Sequence, residues 1–419
     1  MSEVKDIPDG WVETTLGKAI DIKHGYAFKG EFISLESNNK VLITPGNFKL
    51  GGGFKGDKFK YYTGDFPEDY ILRPNDVIVT MTDLSKAGDT LGFSAKIPKD
   101  TNEYLHNQRI GLVKFINSDF DKEFIYWFLR TNHYQKSIVN SSTGSTVRHT
   151  SPNRIREYTF YCPRIEEQKA IASILTAFDD KIELLQTQNK TLEEMAQIVF
   201  VEWFGKFSVN EELPDGWRVE ELDELLELII DYRGKTPLKL GLDWSENGIP
   251  AISAKSIKNG KIVRRDAMNF GSEELYSVWM KDELEKGDVL LTSEAPLGEM
   301  YYFNDDTKYI LSQRVFALRV NKKITSEYLF HYLFSEKGQA LLQARASGST
   351  VEGIRQSELR KVEIIVPEKE ILNKASKIFK TVFDKIFINE EQIQSLIKTR
   401  DELLPRLMTG EIRVNEFKA

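Results

Sequence analysis

Cysteine is almost absent: Cys162 is the single one in 419 residues. One thiol closes no disulfide within the chain, which suits a protein of the reducing cytoplasm. Long apolar runs are missing too. No stretch approaches the roughly 18 residues of a membrane span, and the opening MSEVKDIPDG has neither the basic nor the apolar segment of a secretory signal. His24, His106, His133, His149 and His331 show no metal-ligand spacing. No phosphate-binding loop occurs, because Gly234-Lys235-Thr236 lacks the upstream glycine, and Gly51-Gly52-Gly53 lacks strand–turn–helix spacing. There is no Pro-Pro dipeptide, which removes the amino-methyltransferase signature. No convincing nuclease set of paired carboxylates with a lysine is found, since Glu3-Val4-Lys5 stands isolated at the terminus. These absences leave binding, with no catalysis of the chain's own.

What is present is repetition. Pro8-Asp9-Gly10-Trp11 returns as Pro214-Asp215-Gly216-Trp217, and Gln108-Arg109 as Gln313-Arg314. Thr143-Gly144-Ser145-Thr146-Val147 returns as Ser347-Gly348-Ser349-Thr350-Val351, and Asp180-Lys181-Ile182 as Asp384-Lys385-Ile386. The offsets fall between 204 and 206, so the chain is a tandem duplication. Asp76-Val77-Ile78-Val79-Thr80 matches Asp288-Val289-Leu290-Leu291-Thr292 at 212, whereas Leu91-Gly92 matches Leu297-Gly298 at 206. The first copy therefore carries about six extra residues around 83–90, a variable loop on a shared strand, where specificity usually resides. Because Gln-Arg survives in both copies, a shared structural role is expected of it. Pro-Asp-Gly-Trp is expected to be a turn with a packed indole.

Each copy begins with about 160 residues mixing β-branched runs, turns and short helices, an α+β pattern. A long segment without Pro or Gly follows at 165–204; as a helix it would span about 60 Å. Ile171, Leu175, Phe178, Ile182, Leu185, Asn189, Leu192, Ala196 and Val199 form a heptad seam, and the same register 204 positions on runs from Ala375 through Asn389 and Arg400 to Leu403. If the helices are antiparallel with Asn189 facing Asn389, paired positions sum to 578, so that Leu192 meets Ile386 and Leu175 meets Leu403. The expected architecture is two similar α+β domains, 1–164 and 207–366, with spacer helices at 165–206 and 367–419. The helices would form an antiparallel coiled coil with pseudo-twofold symmetry. Such a spacer would suit reading two DNA segments one or more turns of about 34–36 Å apart.

The net charge of −7 ordinarily argues against nucleic acid, but it is unevenly spread: +2 over 1–164, −5 over 165–204, −5 over 205–366 and +1 over 367–419. Basic residues recur at corresponding places in the copies. Lys49, Lys55, Lys58 and Lys60 stand among aromatics at 47–62, and Lys255, Lys258, Lys261, Arg264 and Arg265 occupy the matching stretch. Arg148, Asn153 and Arg154 follow the first Gly-Ser-Thr segment, and Arg345 and Arg355 bracket the second. Lysine and arginine in loops of both copies suit phosphate contacts.

The Pro-Asp-Gly-Trp start, the strand at 76–80, the Gly-Ser-Thr segment, Pro163-Arg164-Ile165-Glu166-Glu167-Gln168 opening a long helix, and the ending Leu403-Leu404-Pro405-Arg406-Leu407-Met408-Thr409-Gly410 together resemble the specificity subunit of type I restriction–modification enzymes. The second copy departs at Pro367-Glu368-Lys369-Glu370-Ile371, where the Glu-Gln pair is missing. The resemblance implies two target recognition domains, each taking one half of a bipartite double-stranded DNA target. It implies helices that set the spacer and dock two modification (methyltransferase) subunits, with restriction subunits completing the complex. No cofactor is then expected on this chain, S-adenosylmethionine, ATP and Mg belonging to the partner subunits. A coiled-coil scaffold presenting two protein-binding modules is the rival reading.

Overall fold

The computed structural model describes residues 7–348 and 352–414. Glu3, Val4 and Lys5, and Ser349, Thr350 and Val351 of the second Gly-Ser-Thr segment, lie outside the described residues. The chain divides into two compact units, 1–183 with 394–419, and 184–393. Each unit is a globular α+β part together with the adjoining stretches of both long helices.

The globular parts share the strand order of their main sheet and differ in a second sheet, which has five strands in the first part and three in the second. In the first, a four-stranded antiparallel sheet runs in the order Ile20–His24, Ile110–Phe115, Val77–Thr80, Ser94–Lys96; in the second the order is Leu226–Asp231, Val315–Val320, Val289–Thr292, Met300–Tyr302. The strands Val77–Thr80 and Val289–Thr292 are buried along their whole length, as expected of continuous β-branched and leucine runs. A second sheet in each part contains one parallel pairing, Glu103–Leu105 with Lys40–Leu42 and Ile249–Ile252 with Ile310–Leu311. Each part is closed by its first and last strands, Val12–Thr15 on Thr159–Cys162 and Arg218–Glu221 on Glu363–Val366.

The Pro-Asp-Gly-Trp turns are alike in detail. Trp11 N donates to Pro8 O and Trp217 N to Pro214 O, each at 3.0 Å. Gly10 and Gly216 sit at φ 80° and 81°, a left-handed conformation that favours glycine. The indole of Trp11 is buried, and Trp217 packs on Phe204 and Phe207.

The long helices run Ile165–Trp203 and Lys369–Met408. Their ends belong to the domain cores. Ile171, Ala172, Leu175, Leu404, Leu407 and Met408 join the first core, while Ala196, Phe200, Leu372, Ala375, Phe379 and Val382 join the second. Fully burying a large aliphatic or aromatic side chain is worth about 1.5–3 kcal/mol, so neither helix end is free-standing. In the unit 184–393, Asn389 Nδ2 donates to Asn189 Oδ1 at 2.7 Å, and Asn189 Nδ2 donates to Glu390 Oε1 at 2.9 Å. Both asparagines are fully buried in a seam that includes Leu192, Val199 and Ile386. Each amide thus donates one bond inside an otherwise apolar seam, a device that fixes register, while Asn389 Oδ1 is buried without a partner.

Candidate nucleic-acid interface

Three segments converge at one end of the main sheet, where its two central strands meet, in each globular part. The first is the loop leaving the buried strand, after Thr80 or after Thr292. The second is the Gln-Arg turn, whose backbone carbonyl accepts from that strand's continuation: Met81 N to Arg109 O at 2.9 Å, and Ser293 N to Arg314 O at 2.8 Å. The third is the Gly-Ser-Thr hairpin, bridged Thr143 to His149 and Ser347 to Gly353. Its return strand docks on the same continuation, through Thr150 N to Met81 O and Ile354 N to Ser293 O.

The segments differ in how they are furnished. In the first part the extra residues fold around Asp83, whose carboxylate accepts from Ser85 N at 2.7 Å, Thr90 N at 2.6 Å and Thr90 Oγ1 at 2.7 Å. Burial pushes this carboxyl up, but those hydrogen bonds outweigh it and hold it below the usual range. Arg148 is laid across the loop, Nε donating to Lys86 O at 2.7 Å and Nη1 to Ser142 Oγ at 3.1 Å. Asn153 and Arg154 follow on the short helix Pro152–Arg156, with Asn153 exposed. In the second part the shorter loop faces an open cavity of about 630 Å³ lined by Lys255, Arg264, Gln313, Arg314 and Trp244. Arg355 is exposed beside the hairpin, and Arg345 is paired with Glu358 at 3.7 Å.

The remaining lysines and arginines separate into two groups. Lys55, Lys58, Lys60 and Lys258 are exposed, Lys55 lying 3.6 Å from Asp57. Lys261 is paired with Glu193 of the central helix at 2.9 Å, and Arg265 donates to Tyr309 Oη at 3.2 Å, so these two are engaged within their own unit. Lys49 belongs with the exposed group, and among the described residues its side chain makes no hydrogen bond or ion pair. Loss of solvent around its ammonium comes first in holding it below the usual lysine range; Asp179 opposes the shift, while Arg130 and Arg400 add to it. The loop 47–62 is thus exposed near its start, at Lys49 and Leu50, as well as farther along at Lys55, Lys58 and Lys60.

That start marks a joint which residue patterns alone did not reveal. Arg130, 5% exposed, donates Nε to Gly51 O at 3.1 Å, and Nη1 to Tyr126 Oη at 3.0 Å and to Asp179 Oδ2 at 2.8 Å, its guanidinium lying 4.2 Å above the Trp127 ring. Arg400 of the C-terminal helix binds the other Asp179 oxygen. Gly52, at φ 86°, lies so close to Arg130 that a Cβ there would meet its side chain. Burial raises the Asp179 carboxyl, and the two guanidinium groups outweigh that and hold it low. The one available signal was Arg400, a charge standing on an apolar seam.

Among the described residues no group of three or more His, Cys, Asp or Glu is placed to hold a metal ion, and no helix is long and apolar enough to cross a membrane. Cys162 is buried, which pushes its thiol up to about 12.

The family model described as the type I restriction modification DNA specificity domain matches the chain twice, at residues 8–194 and 214–399. The chain is 27% identical over 367 residues to the type I restriction enzyme MjaIX specificity subunit of Methanocaldococcus jannaschii, covering 84% of this chain and 79% of that one. It is 24% identical over 431 residues to the EcoBI specificity subunit of Escherichia coli, covering 97% and 86%. In fold it is similar to the crystal structure of the type I restriction–modification S subunit from M. genitalium, with a TM-score of 0.60 at 17% identity over 97% of this chain and 98% of that one.

Proposed function

Because the chain belongs to the type I restriction–modification DNA specificity family, we propose that it is the non-catalytic DNA-recognition subunit of such a complex, each globular part taking one half of a bipartite target. The observation that carries this is the pair of equivalent sheet ends, where the same three segments meet on the same backbone bonds but carry a different loop. A constant scaffold with unlike loops is what two readers of unlike half-sites require. The long helices set the distance between half-sites and dock the modification subunits. Those subunits supply S-adenosylmethionine and methyl transfer, and restriction subunits supply ATP- and Mg-dependent translocation and cleavage, in the cytoplasm. The acidic central helix and basic loops suit this division, since much of the phosphate-neutralising surface would come from the partners.

The test is methylome sequencing of cells carrying the chain with its modification subunit. Replacing residues 1–164 by the corresponding domain of a relative should alter one half of the methylated sequence only. Both halves changing, or neither, would refute the modular reading. Lengthening both helices by a heptad should change the spacer and spare the half-sites.

A further inference from the structure

The Gln-Arg pairs carry an inference that rests on the DNA-recognition reading and extends it. Their retention in two domains that read different sequences would be explained by packing if the side chains were buried. They are not: Gln108, Arg109, Gln313 and Arg314 are all exposed. What the fold uses at these positions is backbone, the carbonyls of Arg109 and Arg314 and the amide of Gln108, which donates to Tyr26 O at 2.9 Å. Any residue but proline supplies those groups. Among the described residues the side chains of Gln108 and Arg109 make no hydrogen bond or ion pair with the protein, and Gln313 makes one long bond, Nε2 to Lys235 O at 3.4 Å. Packing therefore does not account for the repeated identity of the pair.

The surroundings point to an anionic ligand. In the second part, Gln313 and Arg314 stand on the rim of the open cavity with Lys255 and Arg264, so that three cationic side chains and one carboxylate, Asp243, line one space. Arg264 and Arg314 are both left-handed, at φ 55° and 66°, a conformation uncommon for residues other than glycine and one that gathers at ligand sites. Arg314 is held ready by Glu294, 2.9 Å from its Nε, with the guanidinium still half exposed. A contact shared by two domains that read different bases must fall on what all DNA has in common, the phosphate backbone. Arginine with a neighbouring amide is suited to phosphate oxygens.

We propose that Gln108-Arg109 and Gln313-Arg314 are the sequence-independent phosphate anchors of the two domains, placing this end of each sheet on the duplex so that the unlike loops beside it can read bases. The test uses the full chain in complex with its modification subunits, titrated over a range of KCl concentrations against two duplexes of equal length, one carrying the methylated target and one scrambled. Arg109→Ala and Arg314→Ala should each weaken binding by roughly 3–10-fold on both duplexes alike and lower the salt slope by about one. Thermal unfolding and the methylated sequence should stay unchanged, and Arg109→Lys should restore most of the loss. Arg109→Ala should have the larger effect, because Arg314 shares its charge with Glu294. Unaltered affinity on both duplexes would overturn the assignment, and so would a loss confined to the target duplex with one base position relaxed, which would make the arginine a base reader. A wild-type complex that fails to distinguish the duplexes would overturn the recognition reading and this assignment with it.

Discussion

The two units seat their globular parts on the long helices at corresponding positions with opposite chemistry. In the first unit the joint is polar. Gln168, 2% exposed at the start of the central helix, accepts from Asp121 N at 2.8 Å and donates to Pro163 O at 2.9 Å, while Arg130 and Arg400 share Asp179. In the second unit, 204 positions on, Gln168 is replaced by the buried Leu372, Arg130 by Phe334 and Asp179 by Phe383. Phe330 stacks on Phe334 at 5.4 Å and meets Phe383 edge-on at 5.1 Å, and Tyr302 stacks on Phe383 at 4.1 Å. Trp127 of the first unit corresponds to His331, whose ring nitrogens are both buried without a partner among Phe200, Phe379 and Phe383. Backbone geometry set by a duplication thus tolerates either solution. The polar joint depends on every partner being present, and the apolar one depends on shape.

The largest break should come from the polar side. Asp179→Ala leaves Arg130 buried beside an empty position, a change expected to cost about 3–5 kcal/mol. Combining it with Arg130→Met and Arg400→Leu removes the stranded charges and should recover much of the loss. Denaturant midpoints followed by hydrogen exchange in residues 7–183 measure both. If the single variant were as stable as the parent, the network would carry no weight.

The second prediction concerns acid. Burial pushes His331 down to about 3, so its folded pKa lies below the ordinary histidine value. Between these values the unfolded chain binds a proton that the folded unit does not. Stability from this group is therefore full above about pH 6.5 and falls as pH drops, by at most about 1.4 kcal/mol per pH unit. His331→Phe should flatten that slope in the second unit. The first unit keeps a similar slope from His106, which burial pushes down to about 4 against the hydrogen bond from its ring to Ile110 O. An unchanged acid slope in exchange data for residues 184–393 would remove His331 from this role.

The smallest effect belongs to the seam. Asn389→Ala deprives Asn189 of a partner it bonds at 2.7 Å, at a cost of about 1–3 kcal/mol. Replacing both asparagines by leucine should restore or raise stability while loosening register, visible as spacer heterogeneity in the methylated sites. A double leucine variant as destabilised as the single one would contradict the register account.

Much of this organisation was legible in the residues because it is periodic. The duplication, the seam and the paired asparagines follow from spacing and identity, since a heptad pattern prescribes which side chains meet once the register is known. The missing Glu-Gln pair of the second helix start was visible too, but its meaning was not until Leu372 was found buried where Gln168 makes its bonds. Lys261 and Arg265 looked equivalent to the other loop cations, because sequence records a charge and not the carboxylate or hydroxyl it will face.

By itself the sequence determined that there are two copies of one unit, that long helices carry a common register, and that the copies differ in the loop after a shared strand. Only the tertiary structure decided that the helix ends are parts of the domain cores and that Arg130, Asp179 and Arg400 meet. It alone showed that the Gln-Arg side chains, retained in both copies, face solvent. The reason is physical. Periodic patterns encode local geometry, whereas burial and ion pairing depend on groups brought together from distant positions, 49 and 221 residues apart in the case of Asp179 and its two arginines.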